Sequence, residues 1–249
     1  MLSYAASPEL KKLTEQAVAT LLASEDPATI KFKIVVIESA PGMDNYQYPG
    51  ATTLYPKVPF GYHRYMNIGI DRTENSYVCI CNNDLYFHKG WATEILNAFE
   101  SNPDLSSVSP FCSIHHTNEG YTAHSGLYYG YTVRQEVAGW CLVFKREILK
   151  VTGRLDPNFK FWFADNDYIN TLQKHGLRHA LVSSSIVDHL ESKTLKTRSE
   201  EEQIRLTSGE RFYFEYKWEG RGYFSYLNRL RKFRMKLWLD NFKKKTAAR

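Results

Sequence analysis

The sequence predicts an α/β fold with a mainly parallel sheet flanked by helices. Short apolar runs alternate with amphipathic segments across residues 1–190, the pattern of strands joined by crossover helices. Several runs have no polar face: Ile34–Ile37, Tyr77–Cys81 and Leu142–Phe144 read as strands buried on both sides. Three runs also stop abruptly on polar side chains, at Glu38, at Asn82-Asn83-Asp84 and at His189. Ligands of parallel sheets bind at the carboxyl ends of the strands.

The elements follow in order. Residues 7–24 predict a helix, with Ser7 as N-cap, Pro8 at the first helical position, and Leu10, Leu13, Ala17 and Leu21 on one face. A strand is expected over 30–39, then a loop rich in Pro, Gly and Tyr to 61, and a short helix over 61–72. Residues 76–81 predict a strand, and 89–101 a helix in which Trp91, Ile95, Leu96 and Phe99 share a face. A strand over 105–111 precedes a polar, aromatic loop over 112–135, long enough to suggest function. Residues 136–153 read as a strand running into a helix that stops at Gly153. A helix over 164–176 closes at Gly176, and a strand follows over 179–189. The last 50 residues read as helices full of Arg, Lys and aromatics.

Composition narrows the classes. The 249 residues are 43% hydrophobic and 24% charged, enough for a proper core and unlike a disordered chain. The net charge of +5 permits an anionic partner without requiring one. The apolar runs fall well short of the roughly 20 residues of a transmembrane helix, and "MLSYAASPELKK" has no apolar leader core. Cys79, Cys81, Cys112 and Cys141 form no CxxC pair. Buried free thiols in a reducing cytoplasm are the expectation, against disulfides or zinc.

The polar strand ends admit two readings. Asn82-Asn83-Asp84 is either a turn or a ligand site. Asp165 and Asp167 open a helix directly after Phe161-Trp162-Phe163. They are capping carboxylates, or Asp165 is a general base in a partly dry pocket. Carboxylate, amide and imidazole at neighbouring strand ends suit Mg²⁺ or Mn²⁺.

At these positions the sequence resembles the family 2-type glycosyltransferases of the GT-A (nucleotide-diphospho-sugar transferase) fold. The resemblance covers roughly residues 3–195 and is strongest from Val137 to His189: a Gly-bearing strand, then Gly153, Leu155 and Asp156, an aromatic run into Asp165-x-Asp167, a Gly, and a strand ending in His. It implies a catalytic domain over 1–195 and a basic, aromatic-rich helical C-terminal extension over 196–249. It implies that Asp84, the last acid of a DXD-type motif, holds the metal with His189. Asn82 stands where many relatives have Asp, and Asn82 and Asn83 lie beside the donor. Glu38 would hold the nucleoside, with Tyr4, Ala5 and Asn67 also on the nucleotide-sugar side. Asp165 would be the base of an inverting transfer, although Ala164 replaces the Glu that usually precedes it. Trp140, Phe161, Trp162 and Asp167 would face the acceptor. The chain departs most at its start, where "MLSYAAS" stands in for a full apolar strand.

The implied donor is a nucleoside-diphosphate sugar, with a UDP-sugar favoured, and the implied acceptor a glycan or polysaccharide. Two alternatives remain at this stage: transfer to a modified base in DNA, as in viral enzymes, and a metal-dependent sugar or nucleic-acid binder without turnover. A carboxylate-pair glycosidase fits less well, because the amides at 82 and 83 suit a metal–diphosphate site better. The location expected is cytoplasmic, peripheral on the inner membrane face, or host cytoplasm for a viral protein. Between Arg221 and Arg249 stand ten cations and one acid, Asp240. That segregation suggests docking on an anionic membrane or nucleic acid. The other reading is a helix packed through Tyr223, Tyr226, Leu227, Leu230, Phe233 and Leu237, with its charges solvated.

Overall fold

The structure is a computed structural model that describes residues 1–40, 42, 46–190 and 200–247. A three-stranded parallel sheet runs in the order β3 (Thr52–Leu54), β2 (Val35–Glu38), β1 (Leu2–Ser3). A second sheet has the order β4 (Tyr77–Cys81), β8 (Cys141–Lys145), β6 (Leu105–Phe111), β9 (Arg178–His189), β5 (Leu85–Phe87), with β7 (Leu127–Tyr129) also on β9. Within it β6 and β9 are parallel and the other pairings antiparallel, so this sheet is mixed. A parallel bridge from Leu2 to Asn82 joins the two sheets at the end where the polar motif emerges.

Helices cover both faces of the inner strands, but β4, expected to be buried on both sides, is the end strand of its sheet and leaves Tyr77 and Cys79 exposed along a cleft. On one face α1 (Pro8–Ala23) and α3 (Trp91–Ser101) bury Ala17, Val18, Leu21, Trp91, Ile95 and Phe99 against Val108, Cys141, Val143 and Val182. On the other, α2 (Tyr62–Ile70) and α6 (Ala164–Lys174) bury Met66, Ile70, Tyr168 and Leu172 against Val78, Ile80, Leu142 and Phe144. Alternate residues of β8 thus serve opposite cores, the period-2 signature of a central strand. Ser7 caps α1 as expected, accepting the Leu10 N–H at 3.3 Å.

The differences from expectation have physical causes. The strand expected over 30–39 is reduced to Val35–Glu38. Its neighbours offer only Leu2–Ser3 and Thr52–Leu54, so the chain before Ile34, whose carbonyl still accepts the Thr52 N–H, has no strand to pair with. A cleft of about 460 Å³ lies there, lined by Ile30, Phe32, Val35, Tyr77 and Cys79. The 112–135 segment is not all loop, since it contains α4 (His115–Asn118) and β7. β5 and β7 exist because β9, at 12 residues, extends far enough to pair with both.

The C-terminal extension packs against the chain's middle. The boundary expected at 195 and 196 lies outside the described residues. Beyond it come α7 (Glu200–Trp218) and α8 (Tyr223–Ala247). Tyr213 and Phe214 of α7 pack on Phe159 and Phe163. Lys217 bridges Asp156 at 2.8 Å and Asp167 at 2.7 Å. α8 returns along α7 through Phe233 on Phe212 and Tyr226 stacked on Tyr216.

Candidate active site

The register of β5 on β9 sets the first half of the site. Leu85 pairs with His189, so the residue just before β5, Asp84, lies beside the end of β9. The Leu190 N–H closes the corner on the Asp84 carbonyl at 2.9 Å. His189 Nε2 and Asp84 Oδ2 are 3.2 Å apart, an ion-pair distance without the alignment of a hydrogen bond. Asp84 is buried, yet its Oδ1 has no hydrogen-bond partner among the described residues, and neither has His189 Nε2. Trp140 stacks on the His189 ring at 4.9 Å and 1°, and its own indole N–H is a third orphan. Leaving buried polar atoms unpaired costs free energy, so this cluster is a candidate position for a water, an ion or a substrate group.

A divalent cation fits this corner. It offers a carboxylate oxygen and an imidazole nitrogen, a donor set compatible with Mn²⁺. Among the described residues no group of three His, Cys, Asp or Glu side chains is arranged around a metal position. Two protein ligands suit a cation that completes its shell with substrate phosphates and water.

The second half of the site is the start of α6. Phe163 caps it in the left-handed region, at φ 59°, and Asp165 lies in the first turn. Burial raises the Asp165 pKa, partly offset by the backbone N–H groups of Asp165 and Asn166. Gly139 lies against this carboxylate: a Cβ there would fall 2.6 Å from Asp165 Oδ2. Tyr62 donates to the Gly139 carbonyl at 3.4 Å, and desolvation holds its phenol well above its ordinary pKa. The dipeptide Gly139-Trp140 therefore connects the two halves, one residue touching Asp165 and the other His189.

Other expected site residues are engaged within the protein. Glu38 is fully used: Oε1 accepts the N–H groups of Ala5 (3.0 Å) and Ala40 (2.8 Å), and Oε2 accepts the hydroxyls of Ser3 (2.7 Å) and Tyr48 (2.8 Å). Instead of offering an open carboxylate to a nucleoside, it ties together the turns that follow β1 and β2. Tyr4 and Ala5 lie on the first of these turns. Asn67 is likewise occupied, donating to Leu155 O (2.7 Å) and accepting from Leu155 N (3.1 Å). Asn83 donates to Thr14 on α1 at 2.7 Å, while the Asn82 N–H meets the Trp140 carbonyl at 2.9 Å. Asp167 is buried and held by Lys217 and Trp218, each at 2.7 Å.

Phe161 and Trp162 lie together beside Asp165, edge to face at 5.4 Å. The buried indole N–H of Trp162 is unpartnered. Their loop is held from α7 by Glu210, which accepts the Phe161 N–H at 3.0 Å and whose pKa burial pushes up to about 7. Sequence reasoning missed Gly139 as a contact of Asp165, and missed Glu210 and Lys217 altogether. A glycine before a tryptophan was a usable signal for the first. Nothing local marks the other two, whose partners are some 50 residues away.

No protein-family model matches the sequence, and no curated protein sequence does. Solved structures do match. GalNAc-T7, crystallised with UDP, GalNAc and Mn²⁺, aligns at TM-score 0.56 and 13% identity over 86% of this chain and 50% of its own. The mannosyltransferase PcManGT of Pyrobaculum calidifontis, in complex with GDP-Man and Mn²⁺, aligns at 0.58 and 15% over 89% of this chain and 64% of its own. The catalytic domain of Drosophila β1,4-galactosyltransferase 7, complexed with xylobiose, aligns at 0.50 and 14% over 80% and 73%. The fold is GT-A. The chain spans half to about two thirds of the first two of these proteins. Within a GT-A frame, β4, β8 and β9 bring Asp84, Trp140 and His189 to one sheet edge, and α6 adds Asp165.

Proposed function

We propose that the protein is a metal-dependent, inverting glycosyltransferase that moves a sugar from a nucleoside-diphosphate sugar to an acceptor hydroxyl. A UDP-sugar is the favoured donor and a glycan the favoured acceptor. The observation that carries this reading is the buried Asp84 carboxylate, its Oδ1 unpaired and its Oδ2 3.2 Å from His189 Nε2, joined through Gly139-Trp140 to a carboxylate of raised pKa. Asp84 and His189 would hold Mn²⁺ or Mg²⁺, which supplies positive charge to the departing diphosphate. Asp165 takes the acceptor proton, and its raised pKa makes it a stronger base than an exposed aspartate. With Asp165 as the one base and no enzymic nucleophile assigned, the transfer would be a single in-line displacement that inverts the anomeric carbon. Trp140, Phe161 and Trp162 supply flat apolar surface for sugar rings. The complexes of the neighbours with UDP, GDP-Man and Mn²⁺ support the donor class.

The test is thermal unfolding with nucleotide sugars, with and without Mn²⁺. A ligand at about 100 times its dissociation constant stabilises the folded state by roughly 2.7 kcal/mol. The expected result is stabilisation by one nucleotide sugar only when Mn²⁺ is present, and its loss in Asp84→Ala. Undiminished binding by that variant would overturn the metal assignment.

A further inference from the structure

The outer face of α8 carries an apolar stripe that the active site does not use. Phe224, Leu227, Met235 and Trp238 recur at helical spacing, with Arg231 completing the series. They lie on the side of α8 away from Tyr226 and Phe233, which pack on α7. Phe224 is 86% exposed, Trp238 64% and Met235 51%. Leu227, Leu230, Met235 and Trp238 line a shallow apolar groove whose rim carries Arg231 and Arg234.

The cations of this region fall into two groups. Arg211, Arg221 and Arg229 converge on the buried carboxylate of Glu215. Arg231, Lys232, Arg234 and Lys236 have no ion pair among the described residues, and α8 carries a single acid, Asp240. In the first group Arg229 ties α8 to α7 through Glu215, whereas the second group is exposed.

We propose that α8 docks the protein on an anionic membrane surface, lying in the plane of the interface. Exposed Phe, Leu, Met and Trp enter the boundary between headgroups and acyl chains, with the cations at phosphate level, as in interfacial amphipathic helices. A nucleic acid would use the charges but give Leu227 and Met235 nothing to bury against. A second copy of the chain would bring the same uncompensated cations to the contact. No described helix is long and apolar enough to cross a membrane, so the helix lies on the surface. This inference does not depend on the activity proposed above.

The experiment is flotation of the full chain with vesicles of neutral phosphatidylcholine, with and without about a third phosphatidylserine. The protein is expected to float with the anionic vesicles alone, less so at high salt. Replacing two cations, Arg231→Gln with Arg234→Gln, should weaken partitioning roughly thirtyfold. Phe224→Ser with Trp238→Ser should weaken it while leaving the salt dependence of the residual binding in place. Circular dichroism and the melting temperature check that each variant is folded, and the salt series on the unaltered chain needs no variant. Equal flotation with neutral vesicles overturns the electrostatic part, and no flotation overturns the proposal. So does unchanged flotation of the folded Phe224/Trp238 variant, tighter capture by duplex or single-stranded DNA than by anionic vesicles, or dimerisation that these variants abolish.

Discussion

Two acidic strand ends of this molecule look alike in sequence and differ in what surrounds them. Glu38 ends β2 with each oxygen accepting two hydrogen bonds from the chain's own Ser3, Ala5, Ala40 and Tyr48. Asp84 follows β4 with Oδ1 unpaired and an imidazole 3.2 Å from Oδ2. Burial is the same, since each residue is 3% exposed. What separates a structural carboxylate from a candidate ligand is whether the fold has already satisfied it. Removing Glu38 should therefore damage the fold, and removing Asp84 should damage binding. Asp165 belongs with Asp84, because its environment resists ionisation instead of relieving it.

The largest expected effect is at Asp165. Asp165→Asn keeps the shape and the place at the helix start but cannot accept a proton, so transfer should fall by roughly 100- to 10,000-fold with donor binding retained. Steady-state rates together with donor titration check this, and transfer at the parent rate would move the base elsewhere. The pH dependence has a definite sign. The base must be ionised, and burial raises its pKa above the ordinary 3.8. The acid limb of the rate profile should therefore lie at higher pH than for an exposed aspartate. The stability linkage runs the same way. A raised folded pKa means stability is lost as pH climbs through that pKa, so Asp165→Asn should melt no lower than the parent at neutral pH.

Next comes Gly139→Ala, which tests whether the two halves of the site are joined through this residue. The added methyl would lie 2.6 Å from Asp165 Oδ2 and must displace it. A misplacement of about 1 Å in a catalytic group costs on the order of 100-fold. The expected outcome is a fall in kcat with donor affinity kept. A parent-like kcat would show that Asp165 moves without consequence.

How much of this was legible beforehand follows from where the information lies. The order of the major strands and helices could be read because their apolar runs are local. β5 and β7, three residues each, could not, since each is a strand only by pairing with β9. Asp84, His189 and Asp165 could be singled out because each terminates or opens a strongly patterned element. That Glu38, Asn67 and Asn83 are engaged could not be read, because their partners Tyr48, Leu155 and Thr14 come from elsewhere in the chain. The partners of Asp167 could not be read for the same reason: Lys217 and Trp218 reach it from about 50 residues away.

Glu38→Ala is the next test in size. It leaves the buried N–H groups of Ala5 and Ala40 without acceptors, each costing about 1–3 kcal/mol. Chemical denaturation should show this loss. At temperatures where the variant is folded, Mn²⁺-dependent donor stabilisation should survive in weakened form, because Tyr4 and Ala5 are no longer held. A variant as stable as the parent that loses all donor binding would move Glu38 into the class of Asp84.

The smallest expected effect is the most discriminating. Asp84→Asn, measured without metal or donor, should change stability by no more than about 0.5 kcal/mol, the scale of substitutions that touch no packing or satisfied network. The amide is nearly isosteric, so packing against the end of β9 is kept. Among the described residues its Oδ1 has no hydrogen bond for the amide to lose, and that oxygen bears a desolvation cost without a partner. Loss of the charge opposite His189 is offset by relief of that cost. The same variant should no longer be stabilised by Mn²⁺ with a nucleotide sugar. A large drop in unliganded stability would instead mean that Asp84, like Glu38, is part of the scaffold, and the contrast between the two strand ends would collapse.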